Sequence, residues 1–271
     1  MNHSFNSILI TATLYCILIQ SNCIAQEFKS PYQIGWGKES IVVGAGFVNG
    51  ILASSFDDTV SVVTPFEIQQ LDRNSVNILD RFATYNYSPT TAKASDICLG
   101  TILVAPFTLL AADNIRRDWD KLTVMYVETM LWSAMLPSYT KGTVQRIRPF
   151  AYNTDAPLDK KLDAETRRSF FSGHTCLAFS SAVFLSTVYS HYYPDSDNSL
   201  YVWGGSLIVA GSVGAFRVGA GAHFPTDVLV GAAIGSVVGY AIPWLHEATS
   251  STSGNTSFNI TPLGASFRYQ F

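Results

Sequence analysis

The sequence predicts an all-α protein, a helical bundle of about six apolar helices with a short C-terminal β-hairpin or strand. Hydrophobic residues make up 48% of the 271 residues and charged residues only 14%, against about 25% charged residues in a typical soluble domain. The apolar residues cluster into six segments, several of which approach the ~20 residues that cross a bilayer. At the end of the chain, Phe267, Tyr269 and Phe271 occupy every second position, which predicts a strand or hairpin against the helical body.

The first 25 residues predict a secretory signal peptide. They contain no Asp, Glu, Lys or Arg, and the small residues Cys23 and Ala25 fit a cleavage site after Ala25. Because this stretch also lacks the usual basic residue at its start, an uncleaved membrane anchor is the alternative. Residues 26–247 then form the helical domain, and residues 248–271 form a tail.

The six apolar segments are residues 41–56, 96–112, 122–136, 175–193, 201–216 and 226–245. Pro106 interrupts the second segment, and we expect the third to end near Pro137, because proline disfavours a helix interior. Residues 67–83 mix apolar and polar side chains after Pro65, which predicts an amphipathic helix on the surface. A bundle buried inside a soluble protein and a bundle embedded in lipid both fit this pattern.

Positive charge is concentrated in one region, although the net charge of the chain is −3. This overall charge gives no attraction to nucleic acid, so we expect no nucleic-acid partner. Residues 141–168 nevertheless hold seven Lys or Arg against four Asp or Glu. We interpret five of these basic residues as solvated loop charges: Arg146, Lys160, Lys161, Arg167 and Arg168.

Three polar clusters interrupt the apolar segments. They are Lys141 with Arg148-Pro149, then Ser172-Gly173-His174, and then Arg217 with His223 and Asp227. The middle cluster precedes an apolar helix, and the free N–H groups at the start of a helix bind anions. The basic residues on either side strengthen the prediction of an anion site.

The combined pattern, Lys-x6-Arg-Pro, Ser-Gly-His and Arg-x5-His-x3-Asp, resembles the signature of the phosphatidic acid phosphatase type 2 (PAP2) superfamily. That superfamily also includes bacterial non-specific acid phosphatases and vanadium haloperoxidases. Two positions depart from it, since the family commonly has Pro at Phe171 and Ser at Phe216. The missing serine removes one possible phosphate hydrogen bond, but no charge and no catalytic group. The resemblance implies a PAP2-like bundle whose catalytic part is 141–245.

The resemblance also implies a role for each motif residue. His223 attacks phosphorus to form a phosphohistidine, and His174 protonates the leaving oxygen. Asp227, four residues after His223, can hold one ring nitrogen of this histidine and leave the other free as the nucleophile. Five residues bind the phosphate: Lys141, Arg148, Ser172, Gly173 and Arg217. A metal site made by His174, His223 and Asp227 is the competing interpretation. Three nearby cationic side chains would repel a divalent ion, so we expect metal-free chemistry without a cofactor.

The expected function is a metal-independent phosphatase that hydrolyses phosphate monoesters or diphosphates, chiefly of lipids, in the bacterial envelope. Its substrate would be a phosphorylated lipid or a small phosphate ester, and its location a multi-pass inner membrane with the site facing the periplasm. A soluble periplasmic acid phosphatase is the alternative within the same chemistry. A vanadium-dependent haloperoxidase, or an envelope protein with a degenerate site, are the alternatives outside it. The sequence does not indicate an oligomeric state.

Overall fold

The computed structural model describes residues 29–57, 59–248, 256–261 and 264–269. Six long helices form the bundle: α1 (Trp36–Asp57), α2 (Pro89–Val104), α3 (Trp119–Val144), α4 (Gly173–Tyr192), α5 (Ser199–Gly219) and α6 (Pro225–Leu245). Each overlaps one of the six apolar segments, so the predicted all-α bundle is confirmed. The expected signal peptide lies outside the described residues.

Short elements connect the long helices. Three are single-turn or two-turn α-helices, at Pro65–Gln69, Asp113–Arg116 and Leu158–Lys161. Five are 3₁₀ turns, at Arg73–Ser75, Arg81–Tyr85, Ala105–Ala111, Pro149–Tyr152 and Ala164–Arg167. In the tail, strands β1 (Thr256–Thr261) and β2 (Gly264–Tyr269) pair antiparallel, with Thr256 opposite Tyr269.

The prediction of an amphipathic helix over residues 67–83 is wrong. The helix that begins at Pro65 ends at Gln69, and two 3₁₀ turns follow it. The side chain of Asp72 accepts the N–H of Asn74, and that of Asn77 accepts the N–H groups of two following residues. Such side-chain bonds offer the backbone an alternative to the helix and explain why the helix stops.

Of the two predicted proline breaks, one is confirmed and one is wrong. Helix α2 ends at Val104, and a 3₁₀ turn containing Pro106 takes its place. Helix α3 instead continues through Pro137 to Val144. Pro137 is buried, and a methyl group added to Gly173 would lie 3.6 Å from its ring. Packing against the neighbouring helix therefore outweighs the helix-breaking tendency of this proline, and α3 carries Lys141 in its last turn.

Helix α4 lies at the centre and packs against α2, α3, α5 and α6. Its closest neighbour is α6, which presents Gly231, Gly235 and Gly239 to it at four-residue intervals. A Cβ on Gly235 would lie 2.2 Å from the carbonyl oxygen of Cys176, a distance no real contact allows. The two backbones therefore approach as closely as glycine permits, which fixes the start of α6 beside the start of α4.

Among the described residues, four segments are long and apolar enough to cross a membrane: Gly37–Phe56, Pro89–Ala111, Ser199–Gly219 and Pro225–Leu245. Large apolar side chains on these helices point away from the bundle. Ile51, Ile97 and Ile208 are each at least 70% exposed. Large exposed apolar surfaces are unusual for soluble monomers.

Candidate active site

All the residues predicted for the site come together at one end of the bundle. Helix α3 ends there, α4 and α6 begin there, and α5 ends there with Arg217 in its last turn. The segment between α3 and α4 covers this end and carries Arg148. A backbone hydrogen bond joins the second cluster to the third, and Lys141 of the first cluster lies next to Gly173 of the second.

The Ser172-Gly173-His174 turn starts helix α4, as predicted. Ser172 is the N-cap, and its hydroxyl accepts the N–H of Thr175 at 3.4 Å and lies 2.9 Å from the hydroxyl of Thr175. Its backbone N–H donates to the carbonyl oxygen of Asp227 at 3.1 Å. The Nζ atom of Lys141 lies 3.8 Å from the position a Cβ of Gly173 would take. The ammonium group of this lysine therefore lies next to the start of α4.

The ring of His223 is held in one orientation by a backbone carbonyl. Its Nδ1 lies 2.7 Å from the carbonyl oxygen of Ser169, and the side chain is 2% exposed. A carbonyl only accepts, so Nδ1 carries the proton and Nε2 keeps its lone pair. Burial, reinforced by the charges of Arg148 and Arg217, lowers the pKa of His223 to about 3, so the imidazole is neutral at neutral pH.

Asp227 lies beside His223 but is not its hydrogen-bond acceptor. Its Oδ2 is 3.8 Å from Nδ1 of His223, and it accepts from the Ser169 hydroxyl at 2.5 Å and from the Phe224 N–H at 2.9 Å. We expected this carboxylate to hold the ring nitrogen directly. The carbonyl of Ser169 takes that place, and the carboxylate acts on His223 through its charge.

Arg146 is not the solvated loop charge we expected. Its guanidinium bridges two buried carboxylates, pairing with Asp227 through NH1 at 2.5 Å and with Asp80 through NH2 at 2.7 Å. It also lies over the ring of Phe224, 4.0 Å from the centroid. Burial favours the neutral form of Asp80, but hydrogen bonds from Thr226 and Arg146 outweigh it and lower its pKa. Asp80 therefore stays charged, and Arg146 offsets part of the negative charge beside it.

Asp96 connects His174 to Arg217. Its Oδ1 lies 3.2 Å from Nε2 of His174 and 3.6 Å from NH1 of Arg217. The side chain of His174 is 37% exposed, so it borders solvent, whereas that of Arg217 is 10% exposed. Burial and the charge of Arg217 lower the pKa of His174 to about 4, and Asp96 acts in the opposite direction.

Two buried arginines supply fixed positive charge. Burial lowers the pKa of Arg148 to about 10, which leaves it charged at neutral pH. One of its terminal nitrogens pairs with Glu165 at 2.8 Å, but its Nε has no hydrogen-bond partner among the described residues. The Nε of Arg217 is buried and unpaired within the same part of the chain. Donors of this kind suit the oxygens of a phosphoryl group.

Sequence reasoning missed three contributors to this site. Ser169 acts on His223 through its backbone, which any residue provides, so the sequence holds no signal for it. Asp80 lies more than 140 residues from Asp227 in the sequence, and the two are brought together in the folded protein, where both pair with Arg146. Asp96 did leave a signal, because it is one of few charges within an apolar segment of membrane length.

Comparison with known proteins agrees with the motif pattern. Residues 122–250 match the family model of the PAP2 superfamily. This part of the chain belongs to the PAP2 superfamily. The match contains all three polar clusters, so the resemblance stated from the motifs is confirmed.

Among solved structures, one similar to this chain is described as the first transmembrane PAP2 type phosphatidylglycerolphosphate phosphatase from Bacillus subtilis. The two chains are 19% identical, the TM-score is 0.43, and the match covers 77% of this chain and 95% of the other. A search of curated proteins found no match.

Proposed function

We propose that this PAP2 protein is a metal-independent phosphatase that hydrolyses lipid phosphate monoesters or diphosphates through a phosphohistidine intermediate. The observation that carries the proposal is the pairing of a neutral, backbone-oriented His223 with the unpaired donors of Arg148 and Arg217. A neutral imidazole with a free Nε2 is a nucleophile, and fixed guanidinium groups stabilise the charge that develops on the phosphoryl oxygens.

The reaction has two steps. Nε2 of His223 attacks phosphorus, and the bond to the leaving oxygen breaks as His174 gives that oxygen a proton. Water then attacks the phosphohistidine, with His174 accepting its proton, and the release of phosphate restores His223. Lys141 and the Gly173 amide contribute a further charge and a donor at the start of α4, and Ser172 supports this turn as the N-cap.

The same geometry argues against a metal ion held by the two histidines and Asp227. The carboxylate oxygens of Asp227 already accept from Ser169, Phe224 and Arg146. A metal ion would have to displace these bonds and approach next to two arginines. The positive charge that a metal would supply to a phosphate is already present in the side chains.

The exposed apolar surface favours a lipid substrate and a place in the membrane. Four helices of membrane length carry this surface, and two of them, α5 and α6, flank the catalytic histidine. A lipid phosphate held in the bilayer would present its headgroup at the end of these helices. We propose a multi-pass protein of the bacterial inner membrane with the site facing the periplasm.

Phosphate release by the purified protein tests the proposed activity. The panel contains a lipid phosphate, a polyprenyl diphosphate and a small aryl phosphate, each with EDTA and with vanadate. We expect release that survives EDTA, is inhibited by vanadate and is lost in His223→Ala. The matched control is His191→Ala, whose ring contacts Tyr32 away from the site and whose loss we expect to leave turnover intact. Full activity in His223→Ala would refute the mechanism.

Extraction tests the membrane placement separately. We expect the protein to remain with the membrane fraction until detergent is added. Release by osmotic shock alone would contradict the membrane proposal and favour a soluble periplasmic acid phosphatase. Activity against the aryl phosphate with none against either lipid substrate would point the same way.

A further inference from the structure

A second buried cluster of ionisable residues lies far from the catalytic residues. It comprises Glu39 on α1, Glu128 on α3 and His246 directly after α6. Helix α6 begins next to His223 and has 21 residues, so its two ends are about 30 Å apart at 1.5 Å per residue. The catalytic steps do not involve this cluster.

The three side chains converge as ligands of one ion do. Nε2 of His246 lies 2.8 Å from Oε2 of Glu39 and 3.4 Å from Oε2 of Glu128. One possible ligand atom from each residue lies within 4.8 Å of the other two. Ligands at about 2.0–2.2 Å from a tetrahedral ion are separated by about 3.4 Å, so small side-chain movements would bring all three to bonding distance.

His246 is prepared to offer Nε2. Its Nδ1 lies 2.8 Å from the carbonyl oxygen of Ile242, so Nδ1 donates its proton there and Nε2 faces the two carboxylates. This backbone bond to the opposite nitrogen is the usual support of a metal-binding histidine. The main chain of His246 is also fixed, because its carbonyl accepts the N–H of Gln33 at 2.8 Å.

Glu128 provides an independent indication of a ligand. It is fully buried, and neither of its carboxylate oxygens has a hydrogen-bond partner among the described residues. Glu39 is better supplied, since its Oε1 accepts the N–H of Gly35 at 3.0 Å. A fully buried carboxylate without a donor carries a large desolvation cost unless a cation compensates its charge or a proton neutralises it.

We propose that Glu39, Glu128 and His246 bind a divalent transition-metal ion, of the Zn²⁺ or Mn²⁺ class, that joins α1, α3 and the end of α6. Two carboxylates and a neutral imidazole carry a charge of −2, which a divalent ion balances. The imidazole ligand favours Zn²⁺ over Mg²⁺, which prefers oxygen ligands and retains its water, and the two carboxylates also suit Mn²⁺. The site is structural, because it lies at the opposite end of α6 from His223.

Metal content and thermal stability of the purified full-length chain test this site. The protein is prepared in detergent without a histidine tag, stripped with EDTA, and loaded with Zn²⁺ or, separately, Mn²⁺. We expect about one bound ion per chain. We also expect the thermal midpoint to rise by about 5–10 °C at a hundredfold excess over the dissociation constant.

Variants assign the ion to the cluster. Glu128→Gln keeps the side-chain volume and should lose both the bound ion and the rise in midpoint. Glu247→Gln makes the same charge change on a half-exposed neighbour of His246 and should keep both. His223→Ala should also keep the ion, which separates this site from the catalytic one.

Metal loading of the EDTA-stripped wild-type protein tests the proposal even if Glu128→Gln fails to fold. Fewer than about 0.2 ions per chain after loading, with no change in midpoint, would overturn it and show that protons balance the cluster. An ion retained by a folded Glu128→Gln would overturn it as well. The proposed phosphatase activity can fail or succeed independently, because its initial rate should survive the EDTA that lowers the midpoint.

Discussion

Replacing Asp227 by asparagine separates the charge of this residue from the orientation of His223. The carbonyl of Ser169 keeps its 2.7 Å bond to Nδ1, so the ring should stay in place in the variant. What Asp227→Asn removes is a negative charge 3.8 Å from that nitrogen. In the proposed mechanism, this charge stabilises the positive charge that develops on the imidazole ring as His223 attacks phosphorus.

The size of the effect follows from this distance. Two unit charges about 4 Å apart interact by about 4 kcal/mol at an effective dielectric constant of 20, which corresponds to about a thousandfold in rate. Arg146 pairs with the same carboxylate and offsets part of this field. We therefore expect kcat to fall about 100- to 1,000-fold in Asp227→Asn.

The assay is steady-state phosphate release on the best substrate of the panel, with Asp80→Asn as the matched control. Asp80 is the other buried carboxylate on Arg146, so its loss disturbs the same ion pair without removing the charge beside His223. We expect Asp80→Asn to lower the thermal midpoint and to reduce kcat less than about tenfold. Equal losses in the two variants would show that Asp227 acts through Arg146. A loss in Asp227→Asn as complete as in His223→Ala would show that Ser169 does not orient the ring.

Three further results are expected. The charge of Arg217 helps to lower the pKa of His174 to about 4, and a bound phosphate offsets this charge and raises the pKa in the complex. The alkaline limb of the pH profile of kcat should therefore lie at higher pH than that of kcat/KM. Alkaline limbs at the same pH would contradict this. Asp96→Asn removes the carboxylate that raises the pKa of His174, so the alkaline limbs of the kcat and kcat/KM pH profiles should both move to lower pH. Gly235→Ala places a methyl group 2.2 Å from the carbonyl oxygen of Cys176 and should lower the thermal midpoint in detergent. Gly211→Ala, with open space around it, should not.

Sequence alone predicted the helices and the motif residues because both depend on local patterns. Six apolar segments gave six helices, and the spacing from Lys141 to Asp227 identified the residues that meet at one end of the bundle. The errors arose where other parts of the chain decide the outcome. Pro137 stays within α3 because a neighbouring helix packs on it, and Arg146 is fixed by a carboxylate that the sequence places far away.

The hydrogen bonds around His223 could not be predicted from the sequence for a related reason. A four-residue spacing on a helix suggested a direct bond between His223 and Asp227. The backbone carbonyl of Ser169 comes closer, and a backbone group leaves no mark in the sequence. The motif therefore predicted which residues form the site, whereas the fold decides which atoms make each bond.

The two buried charge clusters give α6 a defined position at both ends. At its start, Arg146 holds Asp227 and Asp80 together, so the protein supplies its own cation beside His223, the proposed nucleophile. Between the ends, glycines let the helix lie directly against α4. At its far end, two carboxylates meet His246, and the part of the chain that the structure describes places no arginine between them. A helix whose start holds the proposed nucleophile in place needs both of its ends fixed. A bound divalent ion would fix the far end of α6, as Arg146 fixes its start.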